Sequence, residues 1–402
     1  MTILVAMKTL LATICVLLLG SNALIAQDNH LKMGSLIDEQ FKFAAAQYKI
    51  LSKNVPQDLM PKTLNKTTGK VETSTTKWWC SGFFPGSLLY IYEQTKDPEI
   101  LKEARSRLSI LEKEKHYKED HDLGFMMYCS FGNVYRLLKK PEDKATIDTA
   151  AASLSTRYRP NAKVIQSWKS NKKWDGPVII DNMMNLELLS WVSDNGGDKK
   201  YKEIAITHAN STIKNHFRPD YSSYHVVDYD MKTGNIVKKV TAQGAADSSA
   251  WSRGQAWGLY GYTMMYRFTK DKSYLKQAKN IARFMLKHKN MPADLIPYWD
   301  YNAPGIPNTY RDASSAAILA SALLELGQYS SKSEKKEYVA ASEKILRTLS
   351  SDAYRAQLGS NGGFLLMHSV GSLPGKSEVD VPLTYADYYF LEGLQRYKNW
   401  YL

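Results

Sequence analysis

The sequence predicts an all-α chain closed into an (α/α)6 toroid, with a small β-hairpin insertion and long loops on one rim. Three observations predict it. Segments with helical spacing fill the chain, they alternate between a charged and a nearly neutral kind, and the neutral ones open with similar polar or aromatic clusters. The charged segments are Asp38–Lys53, Glu99–Lys118, Asp143–Tyr158, Lys199–Phe217, Lys272–Lys289 and Glu334–Tyr354. Each has apolar residues three and four apart, as in Tyr274, Leu275, Ala278, Ile281, Ala282 and Met285, with Lys and Glu between them. That is the stripe of a helix with one wet face.

The neutral segments are Gly82–Gln94, Asp122–Lys139, Asp181–Val192, Ser249–Phe268, Asp312–Tyr329 and Thr384–Tyr397. A helix without a polar face belongs inside a helical shell, so the alternation implies two concentric rings. An open solenoid would show the same alternation. Closure is favoured because six pairs account for the whole mature chain and because the neutral helices start alike. Three connections exceed simple turns. Residues 218–246 hold Tyr224–Tyr229 and Ile236–Val240 around Lys232-Thr233-Gly234-Asn235, a β-hairpin pattern. Residues 290–311 are rich in Pro and aromatics, and residues 357–383 are rich in Gly. Long loops on one rim of a rigid scaffold are where sites are built.

Composition narrows the chemistry. The 402 residues are 44% hydrophobic and 23% charged, which excludes a disordered chain. A net charge of +13 favours an anionic partner. Three Cys exclude a disulfide-stapled scaffold and a four-cysteine metal site. The eight His show neither HxxxH nor HExxH spacing, so no metal is expected, and no Gly-rich phosphate loop or dinucleotide fingerprint calls for a cofactor. The absence of a clustered Arg-rich helix argues against a nucleic acid partner. At the N-terminus, Lys8 precedes the apolar stretch Leu10–Gly20, followed by Ala23 and Ala26. That order reads as a signal peptide over residues 1–26, cleaved near Ala26-Gln27, with residues 27–402 as a single exported, periplasmic domain. The apolar stretch is too short to span a hydrocarbon core of ~30 Å, so no membrane association is expected after cleavage.

If antiparallel helices alternate round a ring, all inner helices start at one rim, and their opening clusters converge there. Asp122, Asp181, Asp312 and Asp387 each lie at such a start, where a helix cap is the plain structural reading. Asp122 follows His121, however, and Asp181 is followed by Asn182 and Asn185 in an otherwise apolar helix. Polar groups facing a ring interior are costly unless paired or at work. Two carboxyls near one cleft, one with its pKa raised by burial, are the minimal equipment for glycoside chemistry. Trp79, Trp168, Trp251 and Trp257 are candidates for packing or for stacking on sugar rings. Arg253, in the first turn of a neutral helix, has a fork suited to a carboxylate. His225 and His368 are, singly, more often structural.

At these residues the chain resembles the unsaturated glucuronyl hydrolases, glycoside hydrolase family 88. The matching motifs are Trp79-x-x-Gly82-Phe83, His121-Asp122-x-Gly124-Phe125, Asp181-x-Met183-Met184-Asn185, and the run from Gln243 to Trp257. The resemblance implies an (α/α)6 barrel. It also implies hydration of the 4,5-double bond in the unsaturated uronic acid that polysaccharide lyases leave at the non-reducing end of their products. By the same correspondence Asp181 is the general acid and base and Asp122 the second carboxylate. Trp79, His121, Trp168, His225, Gln243, Trp251, Arg253 and Trp257 bind the unsaturated disaccharide or oligosaccharide. Three alternatives stay open at this point: an unsaturated rhamnogalacturonyl hydrolase, a sugar epimerase using His225 and His368, and a non-catalytic glycan-binding helical module.

Overall fold

The computed structural model describes residues 32–402; the expected signal segment lies outside the described residues. Among the described residues twelve helices form six pairs. The outer members are α1 (32–54), α3 (Pro98–Leu111), α5 (Pro141–Ser155), α7 (Lys200–His216), α9 (Lys272–Lys287) and α11 (Lys332–Leu349). The inner members are α2 (Phe83–Thr95), α6 (Asn182–Asp194), α8 (Ser252–Thr269), α10 (Ala313–Gln328), α12 (Thr384–Tyr401) and α4. The last is π-wound over Gly124–Gly132 and continues as α-helix over Asn133–Leu138. Each inner helix packs on the next, and α12 packs on α2, so the ring is closed.

The sequence pattern maps directly onto burial. In α9 one stripe is covered, formed by Tyr274, Ala278, Ile281, Ala282 and Met285, while α10 is buried without interruption from Ala313 to Gly327. Fully burying a large apolar side chain contributes about 1.5–3 kcal/mol, and nearly all the inner-ring apolar residues belong to one continuous core. Outer helices carry the conventional starts. Asp97 caps α3 ahead of Pro98, Asp271 caps α9, and Ser331 with Glu334 forms a capping box on α11. The inner helices α2, α4 and α8 end on Lys96, Lys139 and Lys270 in the left-handed conformation, which places a positive charge at the helix C-terminus.

Connections are strongly asymmetric. From inner to outer helix they are short: 96–97, 139–140, 195–199, 270–271 and 329–331. From outer to inner they are 55–82, 112–123, 156–181, 217–251, 288–312 and 350–383. All the long loops therefore crowd the rim where inner helices begin. They carry the strands β1 (Met60–Leu64), β2 (Val71–Ser74), β3 (Tyr158–Arg159), β4 (Val164–Ile165), β5 (Gly176–Ile179), β6 (Val226–Tyr229), β7 (Ile236–Val240), β8 (Ser369–Ser372) and β9 (Ser377–Val381). The expected hairpin is β6–β7, but β5 adds to it as a third antiparallel strand, and β1–β2 and β8–β9 are further hairpins. The far end is pinned differently. Arg267 of α8 donates to Glu325 of α10 at 2.7 Å and to Glu187 of α6 at 2.8 Å. Glu392 of α12 accepts from Tyr90 of α2 and Tyr260 of α8.

The structure corrects two local expectations. The charged segment expected to run helical to Lys118 leaves α-geometry after Leu111, where a 3-10 turn over Glu112–His116 brings Glu114 inward to accept the Thr76 hydroxyl at 2.6 Å. Asp387 does not cap α12. It lies inside the first turn, fully buried, and accepts Leu365 N–H, Leu366 N–H and the Tyr48 hydroxyl at 2.9–3.1 Å, which moors the 350–383 loop to the ring. Asp312 does cap α10, through Ser314 N–H. Cys80 and Cys129 are free thiols, and among the described residues no helix is long and apolar enough to cross a membrane.

Candidate active site

Antiparallel pairing of β5 with β6 sets Ile179 opposite Val226, and Ile180 N–H donates to the His225 carbonyl at 3.0 Å. The next residue on one side is Asp181, so the pairing register alone brings Asp181 beside His225. His225 Nε2 lies 3.8 Å from Asp181 Oδ2. His225 Nδ1 accepts two backbone N–H groups, from Ala242 and Gln243, each at 3.1 Å. Those two donors place the ring proton on Nε2, where it faces the carboxyl. Asp181 opens α6 but makes no side-chain cap bond, and its Oδ2 is buried without a partner within the protein.

The second carboxyl comes from the start of α4. Asp122 has its backbone N–H on Asp120 Oδ1 at 2.9 Å, and its Oδ1 lies 3.4 Å from His121 Nε2. Gly124 lets α6 pack close against this segment, because a Cβ there would stand 2.5 Å from the Asn185 Cα. Asn185 in turn accepts Phe125 N–H at 3.0 Å and keeps its amide 3.5 Å from His121 Nδ1. The Asp181 and Asp122 side chains are only 11% and 14% exposed. Burial pushes Asp181 up to about 7, against opposing pulls from Arg253, its own backbone N–H and the Trp257 indole. Burial, then the neighbouring charges of Asp120 and Asp181, hold Asp122 well above the carboxylate range. Burial drives His121 and His225 down to about 3, so both rings stay neutral at ordinary pH.

The other expected residues converge on the same rim with unequal exposure. Trp79 is half-buried and leans on Phe83, Phe125 and Tyr385, the last with ring centroids 4.8 Å apart. Trp168 is also half-buried and stands edge-on to His225 at 6.2 Å. These two can offer a face to a sugar. Trp251 and Trp257 are buried. Trp251 lies between the His225 ring, 4.6 Å away, and the Arg253 guanidinium, 4.5 Å away. Trp257 packs between Phe125 and Tyr389, and its Nε1–H makes no hydrogen bond of ordinary geometry, acting on Asp181 only at longer range. Gln243 donates its side-chain amide to the Gly371 carbonyl at 3.0 Å.

Arg253 departs from expectation. Its fork is already taken: Nη1 donates to Asp312 Oδ2 at 3.0 Å and to the Val370 carbonyl at 2.5 Å, and Nη2 donates to the Gly371 carbonyl at 2.6 Å. Only Nε lacks a partner, so a two-pronged grip on a substrate carboxylate is not on offer. Sequence reasoning also missed Asp120. Burial raises its carboxyl, and it accepts the Tyr117 hydroxyl at 2.8 Å. Its place two residues before Asp122 was the available signal. Glu378 of β9, 3.5 Å from Lys62, had no such signal. His368 is engaged elsewhere, with Nδ1 2.6 Å from Asp380. Among the described residues no group of three or more His, Cys, Asp or Glu could hold a metal. A cavity of about 370 Å3 at the far end of the barrel, lined by Tyr260, Arg267, Glu392 and Arg396, borders neither Asp122 nor Asp181.

Comparison with known proteins adds four findings. A profile of Glycosyl Hydrolase Family 88 matches residues 52–390. An unsaturated glucuronyl hydrolase of Formosa agariphila is 44% identical over 355 residues, spanning 87% of this chain and 88% of its own. The crystal structure of an unsaturated glucuronyl hydrolase specific for heparin superposes with a TM-score of 0.88 at 43% identity, covering 91% of this chain and 97% of that one. A Streptococcus agalactiae unsaturated glucuronyl hydrolase mutant complexed with dGlcA-GalNAc6S gives 0.78 at 28% identity, covering 91% and 92%.

One prediction follows from the electrostatics alone. Trp257→Phe removes a donor that favours the charged Asp181. A carbon-13 titration of the Asp181 carboxyl should find its midpoint near 7 in the native chain and higher in the variant.

Proposed function

The chain belongs to glycoside hydrolase family 88, and from this premise we propose that Asp181 is the acid, and then the base, of the reaction. The enzyme hydrolyses glycosaminoglycan-type fragments that carry an unsaturated uronic acid; the assignment of steps to residues is the proposal. The observation that carries it is a set of buried polar atoms without hydrogen-bond partners in the protein, gathered about the Asp181 and Asp122 carboxyls: Asp181 Oδ2, His225 Nε2, Trp257 Nε1 and Arg253 Nε at the first, and His121 Nε2 at the second. Buried polar atoms are nearly always satisfied, and a cluster of exceptions marks where a polar ligand completes them.

Protonated Asp181 gives its proton to C4 of the vinyl ether. Positive charge then spreads over C5 and the ring oxygen, and water adds at C5. The water's surplus proton returns to Asp181, now a carboxylate, so the acid is regenerated. The hemiketal opens at the ring oxygen, and the exposed C1 hemiacetal expels the neighbouring sugar and leaves a keto acid. Protonating carbon needs a group that is still protonated near neutral pH yet loses its proton readily, which a carboxyl held near 7 supplies. Asp122, its carboxyl also raised by burial and by the neighbouring charges of Asp120 and Asp181, keeps the pair from carrying two negative charges at once. Neutral His225 directs Nε2–H at the carboxylate formed when Asp181 gives up its proton.

The family assignment favours a hydrolase over the epimerase and the binding module. Relatives are named for heparin and for chondroitin disaccharides, and we infer a lyase-made disaccharide of that class as substrate. The rim hairpin β8–β9, with Lys376 exposed at its turn, supports a sulfated or acidic second sugar. Export to the periplasm belongs to the same proposal and rests on the charged, apolar and small-residue order of residues 1–26.

Asp181→Asn should leave the fold intact and cut turnover by roughly a thousandfold, read as loss of the ultraviolet absorbance of an unsaturated disaccharide. A variant retaining most activity refutes the assignment. A panel of disaccharides differing only in linkage and sulfate position should show a preference for glycosaminoglycan over pectin types; equal or reversed rates would count against the substrate class. N-terminal sequencing of the secreted protein should begin at or near Gln27.

A further inference from the structure

Arg253 makes three hydrogen bonds across the rim, and its position is set from behind. Asp312 is fully buried. Its Oδ1 accepts Ser314 N–H at 3.0 Å, the Ser314 hydroxyl at 2.6 Å and Val370 N–H at 3.3 Å, while Oδ2 accepts Arg253 Nη1 at 3.0 Å. One carboxylate thus joins the start of α10, the start of α8 and strand β8. The Arg253 it holds does three further things. Its fork grips the Val370 and Gly371 carbonyls, and the Gly371 carbonyl also receives Gln243. Its planar face lies over Trp251, which backs His225. It also lies 5.3 Å from the Tyr385 ring, which backs Trp79. Gln243, His225 and Trp79 therefore share one support.

We propose that Asp312 is a positioning residue for this reaction: by fixing Arg253 in its grip on β8, it sets the wall of the sugar site and the distance between the Arg253 charge and Asp181. This rests on the reading of Asp181 as the acid. A plain helix cap would use Ser314 N–H alone. The additional bonds to Arg253 and to Val370 across the rim are what a cap does not need, and Ser or Thr would serve a cap as well. Replacing the carboxylate also has an electrostatic consequence. The groups facing Arg253 are Asp312, Asp181, Glu378 and Tyr385. Those facing Asp181 are Arg253, His225, Trp257 and, from α4, Asp122. Loss of the Asp312 charge leaves the positive field of Arg253 at Asp181 less compensated, so Asp181 ionises at lower pH.

The test is Asp312→Asn, which keeps a competent helix cap but removes the charge. KM for an unsaturated disaccharide should rise about tenfold or more, and the alkaline limb of kcat/KM should move to lower pH by about half a unit or more. The same displacement should appear in the carbon-13 titration of the Asp181 carboxyl, a readout that does not depend on Asp181 being the acid. A KM within twofold of the native value, or an unmoved carboxyl titration, overturns the proposal. A carboxyl midpoint that moves while the activity limb stays put counts instead against Asp181 as the acid. Ser314→Ala is the control: it should lower thermal stability without moving either titration. If Asp312→Asn does not fold, Arg253→Lys keeps the charge but loses the fork. Its KM should rise by a similar factor, and an unchanged KM overturns the proposal.

Discussion

Keeping the Asp181 carboxyl away from water, while still leaving it reachable from the rim, is the constraint around which this molecule is arranged. A carboxyl in water would be fully ionised at neutral pH and could not fill the role of acid proposed for it. Burial raises it to about 7, and that burial needs a wall on every side. The closed inner ring supplies the floor, through Trp257 and Phe125. The β5–β6 pairing supplies His225 on one flank, and the start of α4 supplies His121 and Asp122. The cost is borne by the whole ring, since desolvated carboxyls and partnerless donors subtract from stability and must be outweighed by apolar packing elsewhere.

The asymmetry of the barrel follows from the same need. At the far end the inner helices are tied by ion pairs and tyrosine hydroxyls whose charges are satisfied by one another, and the turns are short. At the rim, long loops close over helix starts whose polar groups are left incomplete. A buried ion pair is weak evidence for stability in itself. The Arg253–Asp312 pair is better understood as a fixed point, because it joins three elements that are remote in sequence and must meet at one place.

Much of this was legible before any coordinates. The alternation of striped and uniformly apolar helices reflects which faces meet water, so the two rings and their order could be counted from the residues. Asp122 and Asp181 stood out because polar residues in dry helices need a reason. Arg253 stood out for the same cause, but its partners could not be read: the Val370 and Gly371 carbonyls come from a hairpin more than a hundred residues away, and backbone acceptors leave no trace in the side-chain sequence. Asp387 and Asp312 looked alike as helix starts. One moors a loop and the other joins Arg253 to β8, a difference set by which long loop folds over each.

By itself, then, the sequence determined the helical architecture, the rim at which the inner helices begin and the two acidic residues that stand out in otherwise dry helix starts. Local periodicity and desolvation cost are properties of short segments, and those segments carry them wherever they are placed. Tertiary structure alone decided which polar atoms are left without partners, which tryptophans keep a face for a sugar, and whether the arginine grips a ligand or its own backbone. Those outcomes depend on angles and distances between segments far apart along the chain, and they are fixed only when the ring closes and the loops settle on its rim.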